Sequence, residues 1–293
     1  MCERKENKWR YSVWSNYALS IALHPFDYAK VLIQLGYEPI APRPTTDFFG
    51  RPALKLPNIF EYVHHIRSID GIVGCYRGLT PKICGNLLSA VVRQKIMDTM
   101  EPVEVENEEE LQKMRLDTFL KTLKCHFISH TAAIIVSQPF SVISVRIMAQ
   151  FVGRETKYNG LVDSISEIYH QHGPLGFFTG LVPRLIGDIL FVVLGSTVTF
   201  ALNSYLVKDK DMQIYTCAAT SFLATAITHP FQVVSNCMIV SGSGLVAGSP
   251  LYMPYYSTWI DCWKDLQSRN QLRRGSRFLV RYYIGETNKG WAY

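Results

Sequence analysis

The chain has 293 residues, of which 48% are hydrophobic and only 18% charged, with a mean hydropathy of +0.05. Its length would suit about two soluble domains, but an average soluble chain carries about 25% charge, so the composition argues for one membrane-embedded body instead. Thirty Lys and Arg against 24 Asp and Glu leave a net charge of +6, too mild and too dispersed for a nucleic-acid partner, and the abundant aromatic residues exclude disorder and collagen.

Residues 1–10 mix acids with bases, and Glu3 and Glu6 do not suit a cleavable mitochondrial presequence, so any organelle address is expected to be internal. The first apolar stretch, residues 11–35, is too long for a signal-peptide core and is interrupted by Asp27 and Lys30. A second, residues 83–97, carries Arg93 and Lys95. An acidic run at 101–110 follows and reads as a solvated linker, with partner docking as the other reading. Three stretches then lack Asp, Glu, Lys and Arg altogether, at 125–145, 189–207 and 212–260. Each reaches or exceeds the roughly 20 residues that cross a bilayer. Polar interruptions in such segments suggest a bundle that lines something polar.

Seven cysteines form an odd set without a Cys-x-x-Cys pair, several of them inside apolar runs. Buried thiols are therefore expected rather than a disulfide framework. No Asn-x-Ser/Thr sequon occurs.

The chain matches itself at a period near 100 residues, where residues 71–86 lie over 173–188. Gly71, Gly74, Gly78 and Gly85 face Gly173, Gly176, Gly180 and Gly187. Leu79 faces Leu181, Pro81 faces Pro183, Lys82 faces Arg184, and Asn86 faces Asp188. This pattern predicts a short surface helix ending at glycine, then a membrane helix with proline in its first turn, where a missing N–H has no consequence. A second element recurs three times inside apolar runs, as His24-Pro25-Phe26, Gln138-Pro139-Phe140 and His229-Pro230-Phe231. Proline there kinks a span and frees carbonyls one turn back, to which His24 and His229 are expected to bond.

Tandem units of this length with Pro-x-Asp/Glu-x-x-Lys/Arg and a downstream glycine-rich aromatic motif resemble the mitochondrial carrier family. Only the first unit keeps that signature, as Pro25, Asp27 and Lys30. The second, after Pro139, has Ser141 and Ser144; the third, after Pro230, has Gln232 and Ser235. In the family, three acid–base pairs form a ring of salt bridges that closes the cavity on one side during alternating access, and this chain lacks the charges to build it. In the third unit Arg274-Gly275-Ser276-Arg277-Phe278 echoes the surface-helix motif, and only a short charged tail follows. The expected fold is an all-α membrane protein, a carrier-like bundle of two-helix repeats with about five transmembrane helices. The sixth is missing, which opens a polar groove sideways. The expected units are residues 1–100, 101–207 with an acidic linker at 101–117, and a truncated 208–293.

These departures, together with Tyr37-Glu38-Pro39 and Ser257-Thr258-Trp259, are similar to the divergent mitochondrial carrier homologue branch of the family. The resemblance implies a multi-pass protein of the mitochondrial outer membrane that inserts α-helical, notably tail-anchored, membrane proteins. It also implies contact with membrane lipids and with a BH3-type apoptotic protein. The alternatives are an inner-membrane-type solute carrier with a degenerate gate, and a receptor or scaffold for BH3 proteins and metabolic regulators. Physically, a groove lined by polar groups suits insertion, because one charge at the bilayer centre costs about 2.5–3.5 kcal/mol and such groups replace part of its lost hydration.

The candidate groove residues are Lys30 and Asp188, then Asn86, His130, Arg146, Asn203, His229 and Asn236. Other readings stand beside them: Lys30 snorkelling to a headgroup, Asp188 capping its helix near Pro183, and Arg146 near a membrane surface. Tyr76, Arg77 and Gly78 resemble the family's contact with a lipid headgroup, where glycine-exposed amides at a helix start hold a phosphate. The Arg-rich tail from 269 to 281 reads as a contact with anionic lipid or as an orienting charge bias. His126 and His130 have a helical metal spacing without a third ligand, so no metal site is expected. No phosphate-binding or nucleophile motif occurs, and neither a cofactor nor catalysis is expected.

Overall fold

The computed structural model describes residues 2–46, 50–100, 111–206 and 209–283. The acidic run at 101–110 lies outside them. The helices are α1 (Cys2–Leu35), α2 (Ile59–Gly74), α3 (Leu79–Thr99), α4 (Leu111–Ala149), α5 (Gly160–His172), α6 (Leu181–Tyr205), α7 (Lys210–Val240) and α8 (Trp259–Ser268). The succession of a long proline-bearing helix, a short helix and a second long helix occurs as α1–α2–α3 and again as α4–α5–α6. After α7 and α8 no further long helix appears among the described residues.

Among the described residues, three segments are long and apolar enough to cross a membrane: Asp117–Ala149, Pro174–Tyr205 and Met212–Val240. Only 11% of the most apolar stretch of the second is buried inside the protein. With one side packed along α7, its remaining apolar surface is of the kind that faces lipid. At 1.5 Å per residue, α3 reaches about 30 Å, the thickness of a hydrocarbon core, though Arg93 and Lys95 interrupt it.

The core is concentrated at one end of the bundle. Tyr28, Leu32 and Ile33 of α1 meet Tyr62 and Ile66 of α2, Val142 and Ile143 of α4, and Val233 and Val234 of α7, all at most 2% exposed. Toward the other end α1 becomes open, with Leu19, Ile21 and Leu23 exposed.

Two glycines set the packing at the closed end. Gly78 and Gly180 precede α3 and α6 in the left-handed conformation, with φ of 80° and 71°. The Ser144 hydroxyl donates to the Gly78 carbonyl at 2.8 Å, and the Ser235 hydroxyl to the Gly180 carbonyl at 2.9 Å. The serines that replace the signature bases thus bind the start of a neighbouring helix. About two turns on, Gly85 and Gly187 lie against Phe140 and Phe231, where an added Cβ would come within 3.0 and 2.7 Å of the phenylalanine Cβ atoms. Helix α3 therefore packs along α4, and α6 along α7, in the two extensive helix interfaces of the molecule.

The residues before the kinking prolines do not bond their own helix's freed carbonyls. His24 Nε2 donates to the Arg77 carbonyl at 3.0 Å, and Gln138 Nε2 to the Thr179 carbonyl at 2.8 Å, in each case one residue before a left-handed glycine. The kink aims these side chains at the adjoining turn.

Arg146 departs from its expected surface position. It is fully buried, its Nε donating to the Ile239 carbonyl at 3.1 Å and its Nη1 to the Tyr158 hydroxyl at 3.4 Å. Three short strands depart from the all-α expectation. Strands β1 (Arg43–Thr46) and β2 (Pro52–Leu56) form a hairpin after α1, and β3 (Arg281–Tyr282) from the tail pairs antiparallel with β2, Leu56 facing Arg281. Strands this short, paired across the whole chain, leave no periodic signal in the sequence.

Gly180→Ala is expected to lower stability by about 1–2 kcal/mol from the left-handed backbone alone, and further because its Cβ would lie 2.6 Å from the Ser235 carbonyl oxygen. A lower thermal midpoint in detergent measures it. Arg146→Ala removes two bonds to a buried cation and should cost roughly 2–3 kcal/mol in the same assay. Outside the apolar segments, burial, aided by Arg154, holds the His65 imidazole below its ordinary 6.5. Burial and Arg146 do the same at His172 against an opposing bond from Gly242. Both rings are held neutral by the fold, so their contribution is present above pH 6.5 and lost as pH falls below it. The thermal midpoint should fall between pH 7.5 and about 5, and less so in a His65→Gln, His172→Gln variant.

Candidate functional site

A cavity of about 440 Å³ occupies the open half of the bundle, away from the packed core. Four helices contribute to it. Helix α1 provides Tyr17 and Ser20, α3 provides Asn86, Ser89 and Arg93, α4 provides His130 and Ser137, and α6 provides Arg184, Asp188 and Phe191. Helical spacing accounts for the alignment: Asn86, Ser89 and Arg93 sit three and four residues apart on one face, as do Arg184, Asp188 and Phe191.

The polar groups of this cavity are anchored from below. Arg184 Nη1 donates to Gln138 Oε1 at 2.7 Å, and Gln138, fully buried, is itself fixed to the Thr179 carbonyl. Arg184 Nε lies 3.8 Å from Asp188 Oδ2 across one helical turn. Asp188 is thus partnered inside the bundle, and Gly180, not Asp188, occupies the N-cap of α6. Ser89 donates to the Ala133 carbonyl at 3.3 Å and Ser137 to that of Ile134 at 3.2 Å. Two guanidinium groups, Arg93 and Arg184, against the one carboxylate of Asp188 leave the walls cationic.

Of the residues singled out from sequence, Asn86, His130 and Asp188 come together here. Lys30, His229 and Asn236 do not; they lie at a joint between α1 and α7 near the closed end. There Gln34 bridges the two helices, its Nε2 donating to His229 Nε2 at 3.4 Å and its Oε1 accepting from Asn236 Nδ2 at 2.7 Å. Lys30 Nζ sits 5.7 Å from the centre of the Phe278 ring, a cation–π contact with the tail. Arg146 belongs to the core. Asn203 lies two residues before the end of α6, its Oδ1 buried without a hydrogen-bond partner.

The signature residues divide in the same way. Asp27 pairs with Lys82 of α3 at 2.5 Å. Ser144 and Ser235 hold the glycine carbonyls described above. Ser141 is partly buried, and Gln232, on α7, is exposed. Of the headgroup candidates, the Tyr76 ring stacks on His24 with centroids 6.1 Å apart, and Arg77 is paired with Asp70 at 2.8 Å. The corresponding turn of the second unit, with Phe178 and Gly180, borders a second cavity of about 310 Å³ beside Thr258 and Trp259.

Sequence reasoning missed Arg184, Gln138, Arg93, Ser20 and Gln34 as cavity or joint residues. Arg184 was within reach, since it matches Lys82 in the repeat and precedes Asp188 by one turn. Gln34 carried no signal, because an isolated glutamine at a helix end is common.

The family model described as "Mitochondrial carrier protein" matches residues 11–104 and 116–210. The chain is 42% identical over 274 residues to human mitochondrial carrier homolog 2, covering 90% of each chain. It is 36% identical over 283 residues to mouse mitochondrial carrier homolog 1, covering 88% of this chain and 72% of the relative. Over 248 residues it is 25% identical to the yeast mitochondrial dicarboxylate transporter, covering 80% of this chain and 75% of that protein. A mostly helical body with apolar spans, two left-handed glycine joints at equivalent places and these matches agree with one another: the chain is a mitochondrial membrane protein that belongs to the mitochondrial carrier family, in its divergent carrier homologue branch.

Proposed function

We propose that this protein inserts α-helical, tail-anchored proteins into the mitochondrial outer membrane. In this reading α1, α3, α4, α6 and α7 are its five spans, arranged in units 1–100, 101–207 and 208–293. The observation that carries the proposal is the polar cavity in a bundle that has two closely packed pairs of long helices and one long helix, α1, with sparser contacts to each of its neighbours. Helix α3 is covered along its length by α4, and α6 by α7, whereas α1 and α7 touch sparsely and the upper part of α1 exposes Leu19 and Leu23. The seam beside α1 is where a sixth span would lie, and through it the cavity would meet lipid.

A tail-anchored client must move a short polar terminus across hydrocarbon. Asn86, His130, Arg184 and Asp188 would bond that terminus in place of lost water, while its apolar segment passes sideways through the seam. Partition of that segment into lipid supplies the driving force, so neither nucleotide nor cofactor is needed. The absence of two signature charge pairs fits the same reading, since a groove open to lipid needs no gate of the kind that alternating access requires. The relative named a dicarboxylate transporter makes solute uptake the reading to test against it.

Purified protein in liposomes should accelerate insertion of a tail-anchored substrate. Asp188→Arg, and the pair Asn86→Leu with His130→Leu, should each change the rate about tenfold, the equivalent of about 1.4 kcal/mol in the barrier. Asn203→Leu, outside the cavity, should leave it within about twofold. Folded cavity variants that insert at the parent rate would sink the groove mechanism. Saturable uptake of a dicarboxylate by the same liposomes, without insertion, would favour the carrier reading.

A further inference from the structure

The joints that hold the closed end occur three times, and the third is made by the C-terminal tail. Gly78 is seated on the Ser144 carbonyl and Gly180 on the Ser235 carbonyl, with an added Cβ at 3.0 and 2.6 Å. Gly275, also left-handed with φ 69°, is seated on the Lys30 carbonyl, an added Cβ lying 3.5 Å from it and 3.2 Å from Gln34 Cγ. Ser144, Ser235 and Lys30 each stand five residues after the kinking prolines Pro139, Pro230 and Pro25. The three contacts are therefore equivalent and run in a circle: first unit to second, second to third, third back to first. At the first two joints the glycine starts a long helix. At the third the described residues that follow form no helix but strand β3, and the chain turns back across the closed end.

We infer that residues 269–283 form a strap that replaces the sixth helix at this joint, clamping α1 against α7 and keeping the closed end shut. The strap is tied down at several points. The Phe278 carbonyl accepts from the Ile59 amide at 3.0 Å, satisfying the open N-terminus of α2. The Phe278 ring lies under the Lys30 ammonium. Strand β3 continues the β1–β2 sheet, and the Tyr283 amide donates to the Leu54 carbonyl at 2.8 Å. Arg281, only 7% exposed, forms a buried ion pair with Glu38 just after α1, and its Nη1 donates to the Pro57 carbonyl at 3.1 Å. Helix α1 packs less closely on any one long helix than α3 does on α4 or α6 on α7, so these contacts and the Gln34 bridge add to its core packing in fixing where it stands. The tail's Arg281 therefore serves the fold, not a lipid surface.

The design concentrates its charge in one place. A buried pair whose partner is removed is strongly destabilised, while exchanging both partners keeps the pair. Cys237 reports on the joint, because it is fully buried with its thiol 3.6 Å from the Gln34 carbonyl, whereas Cys217, nearer the N-terminus of α7, is exposed. The full chain in lipid nanodiscs should be treated with a maleimide and the labelled cysteines identified by peptide mass. Arg281→Glu should speed labelling of Cys237 at least tenfold without changing that of Cys217, and Glu38→Arg combined with Arg281→Glu should return it to within about twofold of the parent. Gly275→Ala, which strains the seat without touching the ion pair, should speed it about threefold. The strap is refuted if Arg281→Glu and Gly275→Ala leave Cys237 protected, or if the charge exchange fails to restore protection. If Arg281→Glu does not fold, Gly275→Ala and the exchange decide the outcome alone. Insertion activity does not enter the readout, so the strap and the proposed function stand or fall separately.

Discussion

A left-handed glycine resting on a backbone carbonyl, five residues after a kinking proline, is the contact on which the rest of this molecule depends. It needs glycine for its positive φ at all three joints, and at Gly78 and Gly180 also because an added Cβ would crowd the carbonyl, at 3.0 and 2.6 Å. At Ser144 and Ser235 the seat is reinforced by a hydroxyl that donates to the glycine's own carbonyl. Once the seat is made, the helix that starts at the glycine is aimed along its neighbour, and Gly85 and Gly187 let it approach the phenylalanines of the Pro-Phe motif. The closed end, the dense core beneath it and the splay of the helices above it follow from that single geometry.

The splay creates the cavity. Helices packed tightly at one end diverge toward the other, and the polar residues on their inner faces find too few partners among themselves. Arg184 solves this through Gln138, fixed to the Thr179 carbonyl at the closed end, and through Asp188 one turn on, while Arg93 and Asn86 line the open space. The replacement of signature charges by serines has a structural counterpart in the same place. A charged pair would tie the ends of neighbouring helices by a contact that can break; a serine hydroxyl on a glycine carbonyl ties them by one that has no second partner to exchange with.

Much of this was legible in the sequence, and the limits of legibility have physical causes. The kinking prolines and the paired glycine motifs are local features, each carrying its own conformational signature. Asn86, His130 and Asp188 could be named because polar groups inside apolar runs are rare and seldom without purpose. Lys30, His229 and Asn236 have the same signature, yet they meet at the α1–α7 joint and not in the cavity, since depth along a helix does not say which way the residue faces. Arg146 was expected near a surface because a charge at the end of an apolar run usually is; a carbonyl freed near the end of α7 and the Tyr158 hydroxyl gave it a place inside.

By itself the sequence determined the membrane setting, the repeat, the kinks, the family and the loss of two signature pairs, because each of these is written in residue type at fixed spacing. Tertiary structure alone decided which polar residues share a space, that Asp27 turns to Lys82, and that the tail from Arg269 onward returns to the first unit as β3. The physical reason is distance along the chain: Arg281 finds Glu38 across more than two hundred residues. A pairing of that separation leaves no periodicity and no local propensity behind; it exists only once the circle of glycine joints has brought the third unit back to the first.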